Sequence, residues 1–177
     1  MNPNRREPEE LALGYCGRCG TRLDQSGAPS AGHGGVRCRA CGLVNLVRPT
    51  VSVGSLPLTP AGEVVLIRRA IAPGIGLWAL PGGYLELDET VEEGAARETL
   101  EETGYRIELG SLVGLYSVFE AAVVVVVFEA RVVGGIARAN GEVLEVRSFD
   151  PIAIPWSQIG LSSTREALLD WQREQRG

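Results

Sequence analysis

The chain has 177 residues, of which 45% are hydrophobic, and a formal net charge of −5. This length suits one ordinary domain of roughly 100 to 150 residues with a small additional module. The longest apolar run, Ala121–Phe128, is far shorter than the roughly 20 residues of a membrane-spanning helix, and the charged start lacks a signal-peptide apolar region. We therefore expect a cytoplasmic protein without membrane attachment. The acidic charge balance also disfavours broad electrostatic binding to nucleic acid.

The first part of the chain differs in composition from the rest. Residues 1–11 are polar and charged and contain two prolines, so we predict a flexible tail there. Residues 12–48 contain all four cysteines, many glycines and no long apolar periodicity. Such a segment is held together by cross-links or a metal rather than by a hydrophobic core. We predict that it forms a small separate module and that the main domain occupies residues 49–177.

The cysteines form two CxxC pairs, Cys16 with Cys19 and Cys38 with Cys41, separated by eighteen residues. This spacing allows two tight turns to place four thiolates around one tetrahedral Zn2+ ion, as in a zinc ribbon. A site of this kind has no open coordination position, so the zinc would be structural. Two disulfides or free thiols are the alternatives. His33 lies between the pairs and is either a competing ligand or, as we favour, a loop residue.

Hydrophobic patterns and turn residues beyond Pro49 predict five strands and two helices. The strands are predicted at residues 50–58, 63–69, 105–118, 121–133 and 143–149. The valine run Val123–Val127 is typical of a central strand that is covered on both faces. One helix is predicted over residues 88–103 with Asp88 as its N-cap, and another after a cap at Ser162 or Ser163. Strands mixed with helices indicate an α/β fold, an α/β/α sandwich with a mixed sheet.

The helix predicted over residues 88–103 has two distinct faces. Its modest packing face consists of Ala96, Thr99, Leu100 and Thr103. A separate arc carries three carboxylates, those of Glu98, Glu101 and Glu102. Carboxylates at this spacing repel one another and destabilise a helix, whereas Mg2+ prefers such oxygen ligands and keeps several waters. From the helix alone, a metal site and an ordinary acidic surface are equally good interpretations.

The residues around this helix follow a longer pattern. Five residues separate Gly83 from Glu89, and seven more separate Glu89 from residues 97–104, whose sequence is RETLEETG. This pattern resembles the signature of the Nudix hydrolase family, and residues 78–86 resemble the loop and strand that precede it. The resemblance covers residues 50–170. Thr99 and Tyr105 depart from the pattern, since the family usually has aliphatic residues there.

The resemblance implies a Nudix-type α/β/α sandwich in which water attacks a diphosphate linkage. It also implies a catalytic Mg2+ or Mn2+ ion, with four ligands: the carboxylates of Glu98, Glu101 and Glu102 and the carbonyl of Gly83. Arg97 would orient a ligand carboxylate, and Glu89 would tie the helix to its loop. Gly82 and Gly83 lack a Cβ and would allow phosphate close to the backbone, with a simple turn as the alternative.

A carboxylate is the expected general base, because the single histidine, His33, lies in the cysteine-rich module. Glu101 or Glu102 is the first choice. Outside the helix the candidates are Glu120, Glu142 and Glu145. Of these we rank Glu145 first, as an additional metal ligand that would also lie at the substrate-binding site.

A four-cysteine ribbon before this domain resembles two branches of the family. One contains NADH pyrophosphatases, and the other is a shorter group with FAD and ADP-ribose pyrophosphatases, which the chain length favours. The resemblance implies a small-molecule nucleotide substrate whose diphosphate linkage is hydrolysed with release of AMP. Gly82 would contact it through its backbone. Trp78 and Tyr116 are candidates for stacking on a ring of this substrate, although core packing is the more common role of such aromatics.

Three other functions fit the same residues. The protein is alternatively a nucleoside triphosphate pyrophosphohydrolase, or an enzyme that removes a nucleotide cap from RNA. For RNA, phosphate contacts would come from five arginines, which are equally explained as solvated loop residues: Arg18, Arg22, Arg37, Arg39 and Arg48. A non-catalytic nucleotide sensor is the third alternative. The family resemblance also implies a possible homodimer.

Overall fold

The computed structural model describes residues 14–23, 35–46 and 48–175. The predicted tail over residues 1–11 and the prediction for His33 lie outside these ranges. The chain divides into two compact units, one comprising Met1–Thr50 with Phe119–Ala122, and the other Val51–Val118 with Val123–Gly177. In the described ranges, no helix combines the length and the apolar character that crossing a membrane requires.

The first unit is built around the four cysteines. Its two short strands, β1 (Gly35–Arg37) and β2 (Val44–Leu46), pair antiparallel. The buried side chains of Cys16, Leu23 and Cys38 form a very small apolar cluster. A cluster of this size stabilises a module only marginally.

The second unit contains a seven-stranded sheet. Its strands are β3 (Thr50–Leu58), β4 (Val64–Arg69), β5 (Trp78–Ala79), β6 (Gly82–Tyr84), β7 (Tyr105–Val118), β8 (Val123–Gly135) and β9 (Val143–Phe149). The main strand order is β5-β4-β3-β8-β7, with β6 paired to β3 and β9 paired to β4. Three of the predicted strands have the observed bounds, and the other two shift by one or two residues. The valine run lies in β8, between β3 and β7.

Two helices cover opposite faces of this sheet. Alternating residues of one strand point to opposite faces, so Val126 packs with α1 (Val91–Thr103) and Val127 packs with α2 (Ser162–Glu174). The core around α2 is the larger one and contains Leu56, Leu66 and Trp171. The predicted α/β/α sandwich with a mixed sheet is therefore confirmed.

Both helix starts differ from the sequence-based prediction. The N-cap of α1 is Thr90 rather than Asp88, because Thr90 and Glu93 form a reciprocal capping box. In this motif the threonine hydroxyl accepts a bond from the Glu93 N–H while the Glu93 carboxylate accepts one from the Thr90 N–H. The second helix begins at Ser162, and no side chain caps it.

The buried face of α1 also differs from the predicted one. Leu100 is 46% exposed, whereas Thr99 and Thr103 are fully buried and Glu102 is 6% exposed. Because the side chains on this face are small, the helix backbone lies close to the sheet. Glu102 lies on the same side of the helix and is therefore also turned toward the sheet. One of the three candidate metal-binding carboxylates is therefore a buried group.

Candidate active site and zinc site

The four cysteine sulfurs converge on one point. The Sγ atoms of Cys16 and Cys41 are 3.6 Å apart, and those of Cys19 and Cys38 are 3.5 Å apart. A disulfide has sulfurs about 2.0 Å apart, whereas tetrahedral zinc with Zn–S bonds of about 2.3 Å separates them by about 3.8 Å. Within the described ranges, this is the sole group of potential ligand atoms that all lie within 4.8 Å of one another. The geometry fits one zinc ion and does not fit disulfides.

Two equivalent turns present these sulfurs. Gly20 and Gly42 follow the second cysteine of each pair with φ values of 68° and 74°, a conformation that favours glycine. Each donates its N–H to the carbonyl of the first cysteine of its pair, at 2.9 Å in both cases. Backbone N–H groups of Arg18 and Cys19 lower the pKa of Cys16 to about 6, which favours the thiolate that binds zinc.

The carboxylate site is assembled around a close backbone approach. A Cβ on Gly82 would lie 2.5 Å from the Val53 carbonyl oxygen, and one on Gly83 would lie 2.5 Å from the carboxylate carbon of Glu98. Backbone atoms exclude a side chain at Gly82, whereas a side chain at Gly83 would displace the Glu98 carboxylate. The Gly82 N–H donates to a carboxylate oxygen of Glu102 at 2.8 Å, and the Gly83 carbonyl accepts a bond from the Ser52 hydroxyl at 2.9 Å.

Arg97 connects the helix to the preceding loop. Its guanidinium donates two bonds to Glu89, at 2.8 and 2.6 Å, and one to Glu98 at 2.7 Å. A further contact with Glu101 is 3.4 Å long. The Arg97 guanidinium lowers the pKa of Glu89 to about 2. These contacts match the supporting roles that the family resemblance implies for Arg97 and Glu89.

Two of the three candidate ligands are held in a poorly solvated environment. Burial raises the pKa of Glu102 to about 7, although the bond from the Gly82 N–H opposes this shift. Burial also raises the pKa of Glu98, against the opposing effect of Arg97. Within the described ranges, no basic side chain forms an ion pair with Glu102. A divalent cation would supply the missing positive charge, although the carboxylate oxygens of Glu98, Glu101 and Glu102 do not all lie within 4.8 Å of one another.

Two of the candidate carboxylates outside the helix, Glu142 and Glu145, differ in their surroundings. The charge of Glu142 adds to burial in raising the pKa of both Glu98 and Glu102. Glu145 lies within β9 and forms ion pairs with Arg68, at 3.8 Å, and with Arg147. The sequence contains no signal for this difference, because it depends on how the chain turns before β9.

The two aromatic residues proposed for ring stacking belong to the core. Trp78 is 3% exposed and packs edge-on against Phe149 with ring centroids 5.0 Å apart. Tyr116 is 6% exposed, and its hydroxyl donates to Asp170 of α2 at 3.2 Å. Neither ring has a face open to a substrate, so we do not retain the stacking interpretation.

Sequence reasoning also missed two residues that lie beside the carboxylates. Arg69 is near enough for its charge to oppose the rise in the pKa of Glu102, and its Nε donates to the Pro73 carbonyl at 2.7 Å. Ser52 contacts the Gly83 carbonyl. Both belong to strands whose register with the helix and loop appears only in the fold.

Comparisons with known proteins agree with this architecture. The chain is 42% identical over 102 residues to a MutT-like protein of Streptomyces ambofaciens, which covers 58% of this chain and 64% of that one. It is 36% identical over 113 residues to an ADP-ribose pyrophosphatase of Methanocaldococcus jannaschii, covering 62% and 66%. The alignments thus span slightly less than two thirds of these relatives.

A crystal structure of a NUDIX hydrolase from Nitrosomonas europaea matches with a TM-score of 0.84 and 33% identity, over 93% of each chain. The family model of the NUDIX domain matches residues 48–172. This range includes Gly83, Glu89 and the glutamates of α1. The chain therefore belongs to the NUDIX domain family.

Proposed function

We propose that this protein is a divalent-metal-dependent hydrolase that cleaves the diphosphate linkage of a nucleoside diphosphate derivative and releases AMP. The observation that carries the proposal is the buried carboxylate of Glu102, which accepts a bond from the Gly82 N–H and forms no ion pair within the described ranges, beside the half-buried Glu98. A site that keeps a carboxylate out of water without an ion-pair partner is suited to a bound cation.

Mg2+ or Mn2+ would be held by the carboxylates of Glu98, Glu101 and Glu102 and by the Gly83 carbonyl. When bound, the metal would activate water and neutralise phosphate charge. Arg97 holds Glu98 in place through the bond described above, and Glu89 holds Arg97. Glu101 is the most solvated of the three glutamates, with its side chain 55% exposed, which suits contact with an incoming substrate.

A carboxylate of this cluster would accept the proton from the attacking water. Glu101 and Glu102 are the first candidates, and Glu120, Glu142 and Glu145 are further candidates outside the helix. The four cysteines would hold a structural Zn2+ ion, with residues 12–48 as the ribbon and residues 49–177 as the hydrolase domain.

The proposed substrate class is supported by the similarity to an ADP-ribose pyrophosphatase and by the resemblance to the ribbon-containing branches that handle FAD or NADH. We place ADP-ribose first among these small-molecule substrates. We also propose a homodimer, which light scattering of the purified protein would test.

The deciding experiment is turnover with Mg2+ or Mn2+ on a panel of ADP-ribose, FAD, NADH and nucleoside triphosphates, with product masses measured. AMP from one of the dinucleotides or from ADP-ribose is expected, and pyrophosphate from a triphosphate would favour the nucleotide-pool alternative. Absence of turnover together with tight nucleotide binding would favour the non-catalytic sensor.

The site assignment has its own test. Glu101→Gln and Glu102→Gln should each lower kcat by about 100-fold or more, because a lost ligand removes several kcal/mol of charge stabilisation. Both variants should stay folded, since neither change opens a cavity. Full activity in both would contradict the assignment.

A second candidate substrate is a nucleotide-capped RNA. All five arginines named for this role are exposed in the structure, which leaves them accessible to phosphates. Salt titration of RNA binding would test it, since a steep loss of affinity with salt accompanies phosphate contacts. Binding that is weak and independent of salt would exclude this candidate.

A further inference from the structure

The loop between β8 and β9 is bonded to the C-terminal end of α1. The last carbonyls of a helix have no partner within the helix, and here the loop supplies two. The Arg138 N–H donates to the Thr103 carbonyl at 2.8 Å, and the Asn140 side-chain amide donates to the Glu101 carbonyl at 3.0 Å. The loop therefore serves as a cap for the same turn that carries Glu101 and Glu102.

The approach between the loop and the helix end is close. Gly104 ends the helix with a φ of 75°, and a Cβ added there would lie 2.4 Å from the carbonyl oxygen of Ile136. On the other side of the contact, a Cβ on Gly135 would lie 2.2 Å from the Gly104 carbonyl oxygen. Two glycines thus allow the backbones to touch, which fixes the start of the loop on the helix.

The other end of the loop is bonded to β4. The Glu142 carbonyl accepts a bond from the Ala70 N–H at 2.8 Å, and Val143 then pairs with Arg69 as β9 begins. Between the two attachments, the side-chain oxygen of Asn140 accepts a bond from the Glu142 N–H at 2.8 Å. The carboxamide of Asn140 therefore bonds simultaneously to the helix turn and to the backbone of Glu142.

We propose that Asn140 is a positioning residue that holds the backbone of Glu142 beside the last turn of α1 by bonding to both, so that the Glu142 carboxylate is available to the metal-binding cluster. The carboxamide is suited to this task because it donates with its nitrogen and accepts with its oxygen at once. Loss of either bond would free Glu142 from the last turn of α1 while leaving Glu98, Glu101 and Glu102 on their helix. The inference rests on the proposed metal-dependent function.

The test is a double-mutant cycle read out by Mn2+ binding, measured by electron paramagnetic resonance on the full chain without substrate. Asn140→Ala and Glu142→Gln should each weaken Mn2+ binding by about 10-fold, as loss of outer partners of a metal site does. The double variant should bind no more weakly than Glu142→Gln alone, because Asn140 acts through Glu142. Additive effects would overturn the proposal.

Two further variants separate this role from general loop stability. Asn140→Ser keeps a hydroxyl that can accept the Glu142 N–H but is too short to reach the Glu101 carbonyl, so it should bind Mn2+ as weakly as Asn140→Ala. Wild-type binding by Asn140→Ser would show that the link to the helix is dispensable and would overturn the proposal. Ala139→Ser is the matched control, an exposed neighbour at which Mn2+ binding should not change.

The same measurements distinguish this inference from the proposed function. If the unsubstituted protein does not bind Mn2+, the metal-dependent function itself fails. If it binds Mn2+ and turns over a nucleotide while Asn140→Ala matches it in both, the role of Asn140 alone fails. A lower kcat for Asn140→Ala with an unchanged KM would support it, because Glu142 is inferred to face the metal cluster rather than the nucleoside.

Discussion

The cysteine site and the carboxylate site of this protein are built in opposite ways. Each cysteine turn is closed by local bonds, from Gly20 to Cys16 and from Gly42 to Cys38. The carboxylate site instead needs one helix, the β5–β6 segment and the β8–β9 loop to meet. The first site is therefore encoded in two short peptides, and the second depends on the packing of the whole domain.

This difference sets what each site tolerates. A closed zinc site contributes directly to the folding of a module that has almost no core, so loss of one ligand should unfold the module. In the carboxylate site, by contrast, acidic side chains are partly or fully buried without full compensation of their charge. This burial lowers the stability of the domain. Changes there should reduce function more than folding, and four predictions test the contrast.

Of the four changes, Cys38→Ser should have the largest effect on metal content and local folding. The zinc content should fall from about one ion per chain to about zero, because a structural site needs all four thiolates. Amide hydrogens of β1 and β2 should then exchange rapidly with solvent while those of α1 stay protected, as hydrogen exchange would show. Arg18→Ala, an exposed change within the same turn, is the control, and a zinc-loaded Cys38→Ser protein would contradict the prediction.

Gly83→Ala should disturb the carboxylate site without unfolding the domain. The new Cβ would meet the Glu98 carboxylate at 2.5 Å, so Glu98 must move from its position. Displacement of a ligand group by about 1 Å costs up to about 100-fold in rate, measurable as kcat/KM. Gly110→Ala is the matched control, since its Cβ would make an ordinary contact of 3.5 Å with Glu129. Equal rates in the two variants would argue against a role for Glu98.

A buried hydroxyl pair beneath the catalytic helix should contribute measurably to stability. The Ser55 and Thr99 hydroxyls are 2.6 Å apart, and Thr99 also donates to the Ala95 carbonyl at 2.7 Å. Thr99→Val leaves the Ser55 hydroxyl without a partner and should lower the free energy of unfolding by about 1–3 kcal/mol.

The matched test of this pair is the double variant Thr99→Val with Ser55→Ala, in which both hydroxyls are removed together. It should be more stable than Thr99→Val alone in urea unfolding. Such a result would also explain why threonine is tolerated where the family pattern has an aliphatic residue. A double variant that loses the sum of the two single effects would show that the hydroxyls are independent.

The smallest effect concerns the pH dependence of stability. Arg97 lowers the pKa of Glu89 from 4.5 to about 2 in the folded protein, so the unfolded chain takes up this proton first as pH falls. The contribution of the Glu89 carboxylate to the free energy of unfolding is therefore fully present above about pH 4.5 and is lost as the pH falls toward 2. Glu89→Gln should lose less stability than wild type between pH 5 and 3 in thermal melts. Glu92→Gln, an exposed change of equal charge, should follow the wild-type curve.

Much of the fold could be predicted because its signals are local. Alternating apolar residues located the five long strands, and the CxxC spacing indicated the zinc site whose sulfurs the structure brings together. The start of α1 was misplaced by two competing local signals, since Asp88 and Thr90 both suit an N-cap and only Thr90 has Glu93 three residues later. Short strands such as β5 and β6 lack enough residues to show a period.

The sequence by itself determined the candidate ligand sets, because the cysteine pairs, the glutamates of α1 and the glycines before it are all recognised by their spacing along the chain. Only the tertiary structure decided which other groups join them. Trp78 and Tyr116 are buried in the core, and Glu145 is ion-paired with Arg68 and Arg147 on the sheet. The reason is physical: spacing specifies which side chains share one helix face or turn, whereas burial and contacts between distant segments depend on how the sheet, helix and loop pack.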